Sequence, residues 1–219
     1  MSLTVFGAPL SPFVRKVRLL LLEKGLDYQL EIVLPFNKPN WYSEISPLGR
    51  IPALKDGDTA LADSSVICQY LEEKYPEALP LLGNSPEQRA KVRWLEKYAD
   101  YELAPQSTFA VFRNRILLPM LGQSCNEEAV QKALSEKLPP LFNYLEETLG
   151  EQEYFVGNQL TLADLAIASQ LINLQHGGEQ LDAQRWPRLS AHFARIKARP
   201  STSALLESEH RALAKMAGK

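Results

Sequence analysis

The chain has 219 residues, 45% hydrophobic and 23% charged, with a formal net charge of -2. That composition belongs to a folded chain long enough for two small domains, and it excludes a disordered chain and a basic nucleic-acid binder. The longest apolar run, Leu19 to Leu22, is one helical turn, so no membrane partner is expected.

The opening MSLTVFGAPLSPF has neither a positive n-region nor a long apolar stretch, so no secretory leader is expected. Cys68 and Cys125 stand far apart and outside any C-x-x-C pattern, which argues for a reducing cytoplasm. His176, His192 and His210 lack metal-ligand spacing, and no metal is expected.

Leu3-Thr4-Val5-Phe6 reads as a strand ended by Gly7 and Pro9. Ser11-Pro12 opens a helix with Ser as N-cap and Pro at the first position. Val14, Val17, Leu20 and Leu21 form its buried stripe, and Gly25 suits its end. Arg15, Lys16 and Arg18 are expected on a solvated or interface-facing side. Residues 28–34 read as a second strand, and 35–50 as an irregular loop. Ile51 to Leu54 and Thr59 to Ala62 read as strands around an Asp56-Gly57 turn. Ser64 is expected to cap a helix reaching Tyr75, and Pro76 stops it. The order β-α-β then β-β-α is that of a thioredoxin-like sandwich. These readings predict an α/β domain over residues 1–78, a Pro-rich linker over 79–85 and an all-helical bundle over 86–219.

In the second part, Ser85 and Gln88 form a capping box. A helix is predicted from there to about Leu118, bent at Pro105. Another runs from Asn126 to Leu149 and is disturbed by Pro139-Pro140. A third runs from Leu162 to His176, with Thr161 as N-cap, Asp164 at N3 and a Leu160/Leu165 staple. Two more follow near 187–198 and 201–216. Leu165-Ala166-Ile167-Ala168 is apolar all round, which marks the third helix as central.

Three features carry chemistry. Ser11 heads the first helix, where backbone N–H groups and the helix dipole favour an anion. A hydroxyl there can donate to a thiolate and lower a thiol's pKa; a shift of about two units corresponds to roughly 2.7 kcal/mol. Ile51-Pro52 leaves a strand end that makes no ladder bond and is free to pair with a peptide-like ligand. Asp63-Ser64, at the start of the other helix, suits an amino-acid zwitterion. Each alone is also what an ordinary cap or strand start looks like.

Together, Ser11-Pro12-Phe13 with Lys16-Val17-Arg18, Pro47 to Leu54 (PLGRIPAL), Asp63-Ser64 with Ile67, Tyr70 and Leu71, and Gly157 to Asp164 (GNQLTLAD) resemble the cytosolic glutathione S-transferases, in particular serine-type members of plants and bacteria. The resemblance implies that Ser11 activates the sulfur of glutathione, the co-substrate. Phe13, Ile51, Pro52, Asp63 and Ser64 would line its site, and Lys38 would meet its glycyl carboxylate. It also implies attack on a hydrophobic electrophile and a homodimer. The electrophile's walls are expected from Leu10 and Phe36 in the first domain and from Phe109, Phe112 and Arg113 in the second. Glutathione-dependent isomerisation, dehalogenation or peroxide reduction is the nearest alternative. The other is a non-catalytic ligand-binding or interaction protein on the same scaffold.

Overall fold

The computed structural model describes residues 3–217; Met1, Ser2, Gly218 and Lys219, the ends of the two expected domains, lie outside the described residues. The chain divides into two compact units, Met1–Leu82 and Gly83–Lys219.

The first unit is a four-stranded mixed sheet with helices, the thioredoxin-like arrangement. β1 (Leu3–Phe6) pairs in parallel with β2 (Tyr28–Glu31) and antiparallel with β3 (Ala53–Asp56), and β4 (Thr59–Ala62) closes the order β2-β1-β3-β4. α1 (Pro12–Glu23) starts as expected, capped by Ser11 with Pro12 in its first turn. Gly25, at φ 67°, follows the C-cap Lys24, and the Leu26 N–H reaches the Leu21 carbonyl at 2.9 Å. This is the left-handed exit that glycine permits. Val14, Val17, Leu20 and Leu21 are all fully buried, each stabilising the fold by about 1.5–3 kcal/mol.

Several expectations shift. The β3–β4 turn is Gly57-Asp58, since Asp56 pairs with Thr59. Ile51 and Pro52 precede β3 instead of forming its start. The short helix α2 (Tyr42–Ile45) interrupts the expected loop. Asp63, not Ser64, is the N-cap of α3 (Ser64–Lys74): its Oδ1 accepts from the Ser65 and Val66 N–H groups at 2.9 and 3.2 Å. A carboxylate reaches farther than a hydroxyl and takes two of the orphan donors at once.

The polar side of α1 is not solvated. Arg15, Lys16 and Arg18 are only 0, 1 and 8% exposed, because long aliphatic stems pack while their heads find polar atoms. The Arg18 Nε donates to the Tyr28 hydroxyl at 2.8 Å. Part of the expected linker also joins the first unit. Lys24 Nζ pairs with Glu72 at 2.9 Å and donates to the Leu79 carbonyl at 3.1 Å, and Glu72 accepts the Leu81 N–H at 3.0 Å.

The second unit is helical. α4 (Pro86–Tyr98) starts at Ser85, whose Oγ accepts the Gln88 N–H at 3.2 Å, while Gln88 Oε1 accepts the Asn84 N–H at 2.8 Å. π-helical segments Ala99–Leu103 and Pro105–Leu117 then lead to α5 (Leu118–Met120). The chain passes Pro105 on wide turns, which accommodate a ring and a missing N–H inside a helix. Another such segment, Ala133–Lys137, joins α6 (Glu127–Lys132) to α7 (Leu138–Leu149), so Pro139 and Pro140 fall in a first turn, where their missing donors cost nothing. α8 (Leu162–His176) is buried continuously from Leu162 to Leu174 and packs against α4, the π-helical segments Ala99–Leu103 and Pro105–Leu117, and α9 (Pro187–Lys197). α10 (Pro200–Ala217) is the last element among the described residues.

Candidate functional site

Sheet register brings three of the sequence features to one end of the first unit. Phe6 pairs with Ala53, and Ala53 pairs with Ala62. The residues just beyond these three positions therefore leave the sheet side by side: Gly7 leading to Ser11, Ile51-Pro52, and Asp63-Ser64. Both α1 and α3 begin there, so two helix N-termini offer positive partial charge to the same space.

Gly7 sets how closely these strands of chain approach. A Cβ on Gly7 would stand 2.4 Å from Val14 Cγ2 and 3.5 Å from Ile51 Cβ. Only a residue without a side chain lets Val14, in the first turn of α1, come so near the end of β1. Beneath them lies a cluster of Phe6, Val33, Tyr42 and Ala53, against which Ile51, Ile45 and Ala62 pack.

Ser11 is half-buried, and its Oγ accepts the Val14 N–H at 3.4 Å. That exceeds the usual N–H···O range of about 2.7–3.2 Å, so the hydroxyl is weakly engaged. Phe13, half-buried, follows in the first turn of α1. The Ile51–Pro52 bond is cis. Asp63 is exposed and sits at φ 84°, a conformation that side chains rarely adopt and that concentrates at ligand clamps. Ser64 is 5% exposed. Lys38 is exposed; its Nζ donates to the Pro35 carbonyl at 2.6 Å, and its Cε lies 3.1 Å from where a Cβ on Gly49 would be. This lysine is folded back over its own loop.

The residues expected around an electrophile differ in burial. In the first unit Leu10 is buried and Phe36 is 52% exposed. In the second, Phe109 is half exposed and Arg113 is exposed. Phe112, at 2% exposure, is a core residue whose ring lies 6.3 Å from that of His176. Spacing along a helix cannot tell these faces apart when the helix is built from π turns, because the angular step per residue is smaller there.

Sequence reasoning missed Gly7, Tyr42 and Ser46. Tyr42 Oη and Ser46 Oγ, both buried, donate to the Arg50 carbonyl, each at 2.8 Å. Burial pushes the Tyr42 hydroxyl up to about 12, moderated by its contact with Ser46, so it stays a neutral donor. Among the described residues, no group of His, Cys, Asp and Glu could hold a metal ion, and no helix is long and apolar enough to cross a membrane. The chemistry on offer is anion binding: two helix starts, a loosely held hydroxyl and an unladdered peptide edge.

Residues 5–79 match the family model of the glutathione S-transferase N-terminal domain, and residues 113–209 that of the C-terminal domain. The chain is 31% identical over 217 residues to a glutathione S-transferase of Hyoscyamus muticus, covering 94% of this chain and 99% of that one. It is likewise 31% identical to glutathione S-transferase 3 of Zea mays, over 91% of this chain and 90% of the other. A solved glutathione S-transferase from Rhodospirillum rubrum superposes with a TM-score of 0.86 at 28% identity, covering 93% of this chain and 91% of that one.

Proposed function

The chain belongs to the glutathione S-transferase family, and from that premise we propose that it joins the thiolate of glutathione to a hydrophobic electrophile, with Ser11 as the activating hydroxyl. The sulfur lone pair forms a new S–C bond while the electrophile's carbon–leaving-group bond, or its π bond, breaks and its electron pair passes to the leaving group or to the adjacent atom. Ser11 Oγ–H donates to the sulfur, favouring its charged form at the head of α1. Ile51, beside Pro52, pairs with the cysteinyl backbone. Ser64, through its own N–H and hydroxyl, takes the γ-glutamyl carboxylate, Asp63 the ammonium, and Phe13 lines the site. Lys38 takes the glycyl carboxylate by releasing Pro35. Rate enhancement then comes from thiolate stabilisation and from holding two reactants together.

One observation carries this reading: the Phe6–Ala53–Ala62 register, which sends Ser11, Ile51-Pro52 and Asp63-Ser64 out of one sheet end. Retention on immobilised glutathione, elution by free glutathione and conjugation of a chromogenic aryl halide are the expected results. Absence of both retention and thermal stabilisation by millimolar glutathione rules the reading out.

The proposal includes a cytosolic homodimer. That part rests on kinship with the glutathione S-transferase family. A sedimentation mass of one chain at micromolar concentration would contradict it.

A further inference from the structure

We propose that Tyr42 and Ser46 are positioning residues for glutathione: by holding the Arg50 carbonyl from behind, they fix the Arg50–Ile51 peptide plane and thereby aim the Ile51 N–H at the ligand. The inference rests on the reading above that Ile51 binds glutathione.

The peptide unit is planar and stiff, so the Arg50 C=O and the Ile51 N–H point in opposite directions and turn together. Two hydroxyls grip the oxygen, each at 2.8 Å. They come from one short element. Tyr42 opens α2 and Ser46 is its C-cap, joined by the Ser46 N–H to the Tyr42 carbonyl at 2.8 Å. The Gly49 N–H then returns to the Ser46 carbonyl at 2.8 Å, folding the chain so that Arg50 comes back over both hydroxyls.

Neither donor is free to drift. Tyr42 is 1% and Ser46 0% exposed. The Tyr42 ring is packed with Phe6, Val33 and Ala53, its centroid 6.4 Å from that of Phe6. Arg50 itself is exposed, so water could have served its carbonyl. Instead the carbonyl is turned inward onto two buried donors, which leaves the Ile51 amide facing away from them. Ile51 takes no place in the β1–β3 ladder, which begins at the Phe6–Ala53 pair. Hydrogen bonds accepted by an amide oxygen also polarise the amide and make its N–H a better donor. The pair of hydroxyls therefore both orients and strengthens the contact.

The test uses the full chain with Tyr42→Phe, Ser46→Ala, the double variant and Ser46→Thr. Glutathione Kd is read by calorimetry, KM and kcat by conjugation, and the Ile51 amide by NMR. Each single loss should raise the Kd and KM for glutathione about 3- to 10-fold, as expected for one hydrogen bond. kcat at saturating glutathione and the bound thiol's pKa should stay within about twofold of wild type, because Ser11 is untouched; Ser46→Thr should bind like wild type. A Ser46→Ala or double variant that melts like wild type and keeps its Kd overturns the proposal, as does an equal fall in kcat with unchanged KM. If the wild type binds no glutathione, the functional reading fails instead. The Ile51 amide resonance then decides: a shift in the variants sustains the positioning role, and an unmoved resonance ends it. Should the double variant not fold, Ser46→Ala against Ser46→Thr carries the same test.

Discussion

At the start of α8, the Asp164 carboxylate is fully engaged. Asp164 Oδ2 accepts the Thr161 N–H at 2.7 Å and the Thr161 hydroxyl at 2.8 Å, while Oδ1 accepts the Phe155 N–H at 3.0 Å and meets His192 Nε2 at 2.8 Å. Thr161, Asp164 and His192 are each 0% exposed. The carboxylate thus carries four close contacts, while His192 Nδ1 has no partner. At the start of α1, the corresponding residue is half-buried and its one cap bond stretches to 3.4 Å. Both are caps built from a short hydroxyl side chain before a helix. One is saturated and sealed, and it serves folding. The other leaves its hydroxyl under-used and half-buried, and that is the condition for serving a ligand.

The severest way to break this contrast is Asp164→Ala, which strands its four partners in a dry interior. It should cost about 3–5 kcal/mol, the range for breaking a buried pair, and lower the melting temperature by roughly 10 °C or more. Denaturant unfolding checks it, and a loss under about 1 kcal/mol would show that the network is not what holds α8. Glutathione affinity of the folded fraction should not change.

Ser11→Ala should do the reverse. Losing a hydrogen bond to a charged sulfur is worth about 1.5–3 kcal/mol, so kcat/KM for conjugation should fall roughly ten- to a hundredfold. Thiolate absorbance should show the bound thiol titrating higher. Stability should drop by less than about 1 kcal/mol, given the long cap bond. A stability loss matching that of Asp164→Ala would erase the distinction between the two caps.

Gly7→Ala sharpens the geometric side. A methyl group 2.4 Å from Val14 Cγ2 must push Val14, and with it the start of α1, from the end of β1, at a cost of about 1–3 kcal/mol. Calorimetry should show weaker glutathione binding together with the lower melting temperature; unchanged affinity would mean that the close approach of α1 to Gly7 does not shape the site.

The smallest effect belongs to an exposed carboxylate, the surface counterpart of Asp164. Arg115 holds Glu127 at 2.7 Å and lowers its carboxyl from the ordinary 4.5 to about 2. A depressed folded-state value means the stabilisation is complete above pH 4.5 and is lost as pH falls toward 2. With Glu127 half exposed, solvent screens most of it. Glu127→Gln should therefore shift the unfolding midpoint slightly at pH 7, and the gap from wild type should narrow at about pH 3. A gap that widens on acidification would reverse the sign.

Much of this was legible in the sequence, for a local reason. Ser11-Pro12, Thr161 with Asp164, Ser85 with Gln88 and the exit at Gly25 are settled within one turn of chain, so composition and spacing reveal them. The element order of the first unit and the buried centre of the second follow from apolar periodicity in the same way. Tertiary structure alone decided the rest. Gly7 matters because Val14 and Ile51 crowd it, and Tyr42 and Ser46 matter because the chain returns Arg50 over them. Arg15, Lys16 and Arg18 read as solvated or interface-facing in a helical pattern, and burial rules out the first. Such roles depend on which distant residue arrives at a position, and a short-range pattern of charge and hydrophobicity holds no record of that.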